Sequence, residues 1–226
     1  RGYKSVVKRD VVRLVTPGTL TEDSLLEPRR NNYLAAFSVI RDKGALAWVD
    51  ISTGFLHVGP CNNVHLSPEL ARLRPSELLV AESSYEEVEE LATESGCALT
   101  PLSPSSFDSH SASKRLLDHY EVSSLDGFGS FERVELSALG ALLDYLLLTQ
   151  KDALPRLAAP VREEQTKVMQ IDAATRRNLE ITQNLNGGSG SSLLSTIDRS
   201  VTAAGARLME RWISSPLTDV EELINR

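Results

Sequence analysis

One segment governs what this chain can fold into. Between Leu136 and Gln150, the side chains Leu139, Leu142, Leu143, Tyr145, Leu146 and Leu147 ring a single predicted helix. A helix that is apolar nearly all round has to be covered nearly all round. Its longest apolar run, Ala141 to Leu148, is broken by Asp144 and falls well short of the ~20 residues that cross a bilayer. The cover must therefore come from the protein itself, and this helix is expected to lie sandwiched between other elements.

The preceding sequence supplies a sheet for it. Tyr33 to Ile40 reads as a strand, turned by Asp42-Lys43-Gly44 into Ala45 to Ile51. Ser52-Thr53-Gly54 turns that strand into Phe55 to Val58. Three strands at such short spacing predict an antiparallel meander. Ser67-Pro68-Glu69 then reads as a helix start, with a stop near Arg74 before Pro75. Ser76 to Val80 is a short strand. Ser84 with Glu87 reads as a capping box for a helix carrying Val88, Leu91 and Ala92 on one face and ending at Gly96. Cys97 to Leu102 is a fifth strand and Asp108 to Tyr120 a further helix. The order predicts an α/β domain with a mixed sheet and flanking helices.

The two ends read differently. Tyr3 to Arg13 looks like an extended, partly basic strand stopped by Pro17-Gly18, and Thr21 to Leu26 like a short helical or loop segment. After Pro155 the chain reads as helical. Asp172 caps a helix to about Asn184, and residues 186–192 make a flexible glycine-serine connector. Val201, Ala204, Gly205, Leu208 and Trp212 recur at amphipathic helical spacing up to Pro216. Asp219-Val220-Glu221-Glu222 begins another helix. A boundary near residue 155 also divides the charge. Residues 1–155 hold 15 basic and 22 acidic groups, whereas 156–226 hold nine of each. The net charge of −7 excludes a uniformly basic, free-standing nucleic-acid binder. Cys61 and Cys97 stand alone, without a C-x-x-C pair, which suits a reducing, cytoplasmic setting. Arg1 in place of Met, and an end at Arg226 inside an element, suggest a piece of a longer protein.

No catalytic constellation emerges. The loop Gly187-Gly188-Ser189-Gly190 lacks the Lys of a phosphate-binding P-loop, and Ser189 lacks the spacing of a nucleophile elbow. Gly127-Phe128-Gly129 is a lone pair of glycines. His57, His65, His110 and His119 have no metal-ligand spacing. Glu86, Glu87, Glu89, Glu90 and Glu94 form a solvated helix face. A meander followed by alternating helices and strands is the order of the ribonuclease H-like fold, whose nucleases hold Mg²⁺ with carboxylates at strand ends. Asp50 and Glu82 would be the candidates. The first strand, however, has no acid where such enzymes place a central one, and the metal site would be incomplete.

Four stretches carry a resemblance: Val11-Val12-Arg13-Leu14-Val15-Thr16-Pro17-Gly18-Thr19, Asp50-Ile51-Ser52-Thr53-Gly54, Asp172-Ala173-Ala174-Thr175-Arg176-Arg177-Asn178-Leu179-Glu180, and Val201-Thr202-Ala203-Ala204-Gly205-Ala206-Arg207-Leu208. In order and spacing they resemble the bacterial MutS mismatch-repair family, over essentially the whole chain. The resemblance implies residues 1–15 as the tail of a mismatch-recognition domain. It further implies residues 16–155 as a ribonuclease H-like connector without nuclease function, and 156–226 as the incomplete start of an all-α core or lever domain.

The family's Phe-x-Glu wedge would precede Arg1, and its ATPase, with ATP and Mg²⁺, would follow Arg226. No catalytic, cofactor-binding or metal-ligating residue is carried onto this chain. The implied partners, through the full-length protein, are mismatched double-stranded DNA, MutL and a second copy in a homodimer, with no membrane. A ribonuclease H-like nuclease and a stand-alone interaction module are the other readings.

Overall fold

The computed structural model describes residues 11–20, 25–151, 154, 156–164 and 167–224. The meander forms as the turn signals predict: β1 (Tyr33–Ile40), β2 (Lys43–Asp50) and β3 (Phe55–Pro60) pair antiparallel, with Tyr33 opposite Asp50 and Asp50 opposite Phe55. β4 (Glu77–Ala81) runs parallel to β1, and β5 (Ala98–Leu102) parallel to β4. A two-residue strand, β6 (Val161–Arg162), adds in parallel to the outer edge of β3, giving the order β5-β4-β1-β2-β3-β6.

Alternation along these strands feeds two cores. Leu34, Ala36, Val49, Val58 and Leu79 face α3 (Ser109–Tyr120) and α4 (Arg133–Gln150). Phe37, Leu46, Trp48, Leu78 and Val80 face α1 (Asn63–Leu73) and α2 (Tyr85–Glu94). The result is a helix–sheet–helix sandwich. α4 is the predicted all-round apolar helix: Leu139, Leu142, Leu143 and Leu146 are at most 1% exposed. It packs so closely on α3 that a side chain at Gly140 would meet the Ala112 Cβ at 2.1 Å. The sandwiching has one opening, because Leu147 and Leu148 remain exposed.

Several local expectations need correcting. α1 begins at Asn63, not at Ser67: Asn62 Oδ1 accepts the His65 N–H at 3.1 Å, and Pro68 stands inside the helix. A 3₁₀ turn, Glu82–Ser84, precedes α2, and Ser84 makes no side-chain cap there. The Asp172-capped helix α5 (Ala173–Asn178) ends six residues early, and Glu180 takes a positive φ of 48°. The connector expected after it carries a set of turn hydrogen bonds. The Asn184 side chain accepts the Asn186 and Gly188 N–H groups and donates to the Gly190 carbonyl. α6 (Leu193–Ile197), unforeseen, follows it, and α7 (Ala203–Ser214) is the predicted amphipathic helix. α8 (Val220–Ile224) follows the Asp219 start. Residues 156–226 are not all-α: their helices α5 to α8 are short and joined by long irregular stretches, and they contribute β6 and a bridge between Val168 and Leu217. The expected strand Tyr3 to Arg13 lies largely outside the described residues. Its described part, Val11 to Arg13, forms no regular element, and residues 21–24 of the next expected segment are likewise outside.

Candidate functional site

The most heavily engineered region is a junction, built where buried carboxylates hold three parts of the chain together. The first is Glu77, at the start of β4 and 1% exposed. Its Oε2 accepts the Thr16 hydroxyl at 2.5 Å and the Gly18 N–H at 3.0 Å; its Oε1 accepts Thr100 Oγ1 and Tyr145 OH, each at 2.7 Å. Burying a carboxylate is costly without such donors, and here four converge on it. Burial, with the Glu77 charge alongside, pushes the Tyr145 phenol up to about 12, so it stays a donor. The Pro17-Gly18-Thr19 turn lies flat on this carboxylate. A Cβ at Gly18 would meet Leu34 Cδ1 at 2.7 Å and Glu77 Cβ at 2.8 Å. Upstream, the strap continues along the end of α4: the Leu14 N–H donates to the Thr149 carbonyl at 2.8 Å and Lys151 Nζ to the Val11 carbonyl at 2.6 Å.

The second part lies on the opposite face of the sheet. Arg72, near the end of α1, donates to Glu69 at 2.6 and 2.9 Å, to Glu163 beyond β6 at 3.1 and 3.2 Å, and to Ser215 beyond α7 at 2.9 Å. Its guanidinium also stands 5.3 Å above the Trp48 ring, which stacks on His57 at 5.5 Å. Burial alone would lower the pKa of Arg72, but Glu69 and Glu163 outweigh it and hold it above the ordinary value. His57, half-buried, is pulled down to about 4 by its desolvation and by the nearby Arg211 and Arg72 charges. Around this clasp lies a cavity of about 440 Å³, lined by Tyr33, Trp48, His57, Arg211 and Trp212. Further ties join the halves: Arg29 to Asp198 at 2.7 Å, Arg207 to the Pro28 carbonyl at 3.1 Å, and Arg74 to Glu210 at 3.8 Å.

A third carboxylate, Glu135 of α4, is 1% exposed. It caps its own helix at Glu132 N–H (2.8 Å) and receives Arg162 of β6 at 2.8 and 3.0 Å. Neither Glu77, Glu69 nor Glu135 stood out in the sequence. A lone acid inside a short apolar strand or helix was the available signal.

The residues weighed for chemistry are not brought together. Tyr33 opposes Asp50 while Leu34 pairs with Glu77, so Asp50 lies at the β4-start end of the sheet and Glu82 beyond its far end, roughly 16 Å away at ~3.3 Å per residue. Asp50 Oδ1 is taken by Ser52 N–H and Oγ, its Oδ2 has no partner among the described residues, and Glu82 is exposed. Among the described residues no group of three or more His, Cys, Asp and Glu is placed to hold a metal. Gly127-Phe128-Gly129 belongs to a 3₁₀ turn whose Phe128 packs edge-on to Tyr120. Cys61 and Cys97 are free and buried, and burial pushes both thiols up. Among the described residues no helix is long and apolar enough to cross a membrane.

Comparison with known proteins agrees with this two-part construction. The MutS domain II family profile matches residues 32–158 and the MutS domain III profile residues 174–226. DNA mismatch repair protein MutS of Cereibacter sphaeroides is 63% identical over 97% of this chain and 25% of its own length. That of Paracoccus denitrificans is 60% identical over 99% and 25%, and that of a Ruegeria species 58% over 100% and 26%. The chain thus spans about a quarter of the length of these relatives. With the domain II match extending over more than half of it, the chain belongs to the MutS family.

Proposed function

We propose that this chain is the connector and the start of the lever of a DNA mismatch-recognition ATPase, and that its task is mechanical. Residues 1–15 close the mismatch-recognition domain, 16–155 form a ribonuclease H-like connector, and 156–226 open the core. The meander followed by parallel β4 and β5 supports the fold assignment. In this reading the fragment has no chemistry of its own. ATP and Mg²⁺ bind elsewhere in the parent, a cytoplasmic homodimer that engages mismatched duplex DNA. MutL docks on the connector, whose acidic surplus suits a protein surface better than phosphates.

The observation that carries the proposal is the double attachment. The strap at 14–19 is bound at once to the end of α4 and to Glu77, while the opposite face is clasped to α7 through Arg72. Coupling distant sites requires packed elements with discrete arrangements, and α4 is the strut, tied to the strap at its C-terminal end and to Arg162 of β6 through Glu135 near its start. In the full-length protein, Glu77→Gln and Leu143→Thr should leave mismatch affinity and basal ATP hydrolysis within about twofold, and cut mismatch-stimulated nucleotide exchange at least fivefold. Unchanged stimulation in folded variants overturns the proposal.

A further inference from the structure

A second opening, of about 990 Å³, runs between the two halves. The C-terminal ends of α1 and α2 form one wall, and α5 with the turn at 182–187 forms the other. Arg30, Arg74, Arg176 and Arg177 line it against a single carboxylate, Glu94, on the exposed end of α2.

Arg176 is decisive. It is 5% exposed, and its Nε and Nη1 are buried with no acceptor among the described residues. Buried polar groups are almost always satisfied, and a buried cation most of all. The acid whose field reaches Arg176 is Glu69, which Arg72 already holds at 2.6 and 2.9 Å. Neighbouring cations make matters worse. Arg30 donates to the Arg74 carbonyl at 3.0 Å, and Arg74, burdened by burial and by the Arg30 charge, is drawn down to about 10. Glu210 answers Arg74 at 3.8 Å, so the charge that the described chain leaves unanswered is that of Arg176, with the exposed Arg177 beside it.

We infer that this groove is a binding site for a phosphate group, with Arg176 and Arg177 supplying the charge. Ser67, Thr182 and Asn184 add hydrogen-bonding groups to the lining, and no aromatic side chain lines it. Nothing there stacks a base, so the site reads the phosphate and not what carries it. The site is independent of the mechanical role proposed above.

Calorimetric titration of the 226-residue chain with inorganic phosphate, at ionic strength matched with chloride, tests it. Saturable binding is expected, weakened at least tenfold in Arg176→Gln and severalfold in Arg177→Gln, and unchanged in Lys114→Gln on the exposed side of α3. Arg176→Gln removes an unpaired buried charge and should fold at least as well as the parent. Should it fail to fold, the exposed Arg177→Gln carries the test. A mixed-sequence DNA duplex, added as competitor, separates the sources. Displacement of phosphate identifies a nucleic-acid backbone, and its absence a free or small-molecule phosphate; either supports the site. A non-saturable response, or equal affinity in the parent and every folded groove variant, overturns it.

Discussion

The two halves of the molecule solve burial in opposite ways. The sheet unit covers its own apolar surface on both faces, from Leu34 and Leu46 in the strands to Leu70 in α1 and Leu142 in α4. The helical half buries little: Leu157, Val168, Ile181 and Ala206 are its buried apolar residues among those described, whereas Met169, Leu185, Leu193, Ile197 and Val201 stand exposed. Helices α6 and α7 therefore leave apolar side chains, Leu193, Ile197 and Leu208, open to solvent. One half holds itself together, and the other is held by polar clasps to the first.

The largest expected effect breaks the first half alone. Leu142→Ala should cost about 4 kcal/mol, because a fully buried leucine leaves a cavity between α4 and the sheet. Leu193→Ala, at a position 47% exposed, should cost under about 0.5 kcal/mol. Denaturant titration followed by circular dichroism checks both, and comparable losses would erase the contrast.

Next comes the strap. Glu77→Ala leaves Thr16, Thr100 and Tyr145 without their acceptor and should cost about 3 kcal/mol. It should also open residues 11–19 to limited proteolysis while β1 to β5 stay protected. A smaller form of the same release is expected from Gly18→Ala, whose methyl group has no room against Leu34 and Glu77.

The clasp should respond to acid. Folded His57 resists protonation until about pH 4, whereas the unfolded imidazole takes its proton near 6.5. The unfolded state therefore binds more protons in that window, and stability falls as the pH drops through it, by on the order of 2–3 kcal/mol once fully below 4. His57→Phe should flatten that part of the pH profile; an unaltered slope would locate the acid sensitivity elsewhere. A small effect that shrinks with salt is expected from Arg29→Gln, whose ion pair with Asp198 is partly exposed.

What the sequence made legible follows the same division. The strands of the meander, the helix at 109–120 and the apolar helix at 133–150 were readable because hydrophobic periodicity and turn residues are local signals. Pro68 misled, since the helix starts upstream of it, after the Asn62 cap, and Pro68 stands inside. β6 was invisible: Val161 and Arg162 are both exposed, and only the distant edge of β3 makes them a strand. The junction was the least legible feature. Glu77 and Arg72 acquire their roles from residues 61 and 91 positions away, Thr16 and Glu163, which no local pattern connects.

That two-residue strand has a consequence for how the molecule behaves in a crowded solution. An open sheet ends in unpaired N–H and C=O groups that invite another chain to add on. β6, with the Glu163 N–H reaching the Val58 carbonyl at 2.7 Å, occupies part of the β3 edge. At the other end, Pro101 removes a donor from the outermost strand, β5. Both margins of the sheet are thereby blunted against edge-to-edge aggregation, one by a borrowed dipeptide and the other by a missing proton.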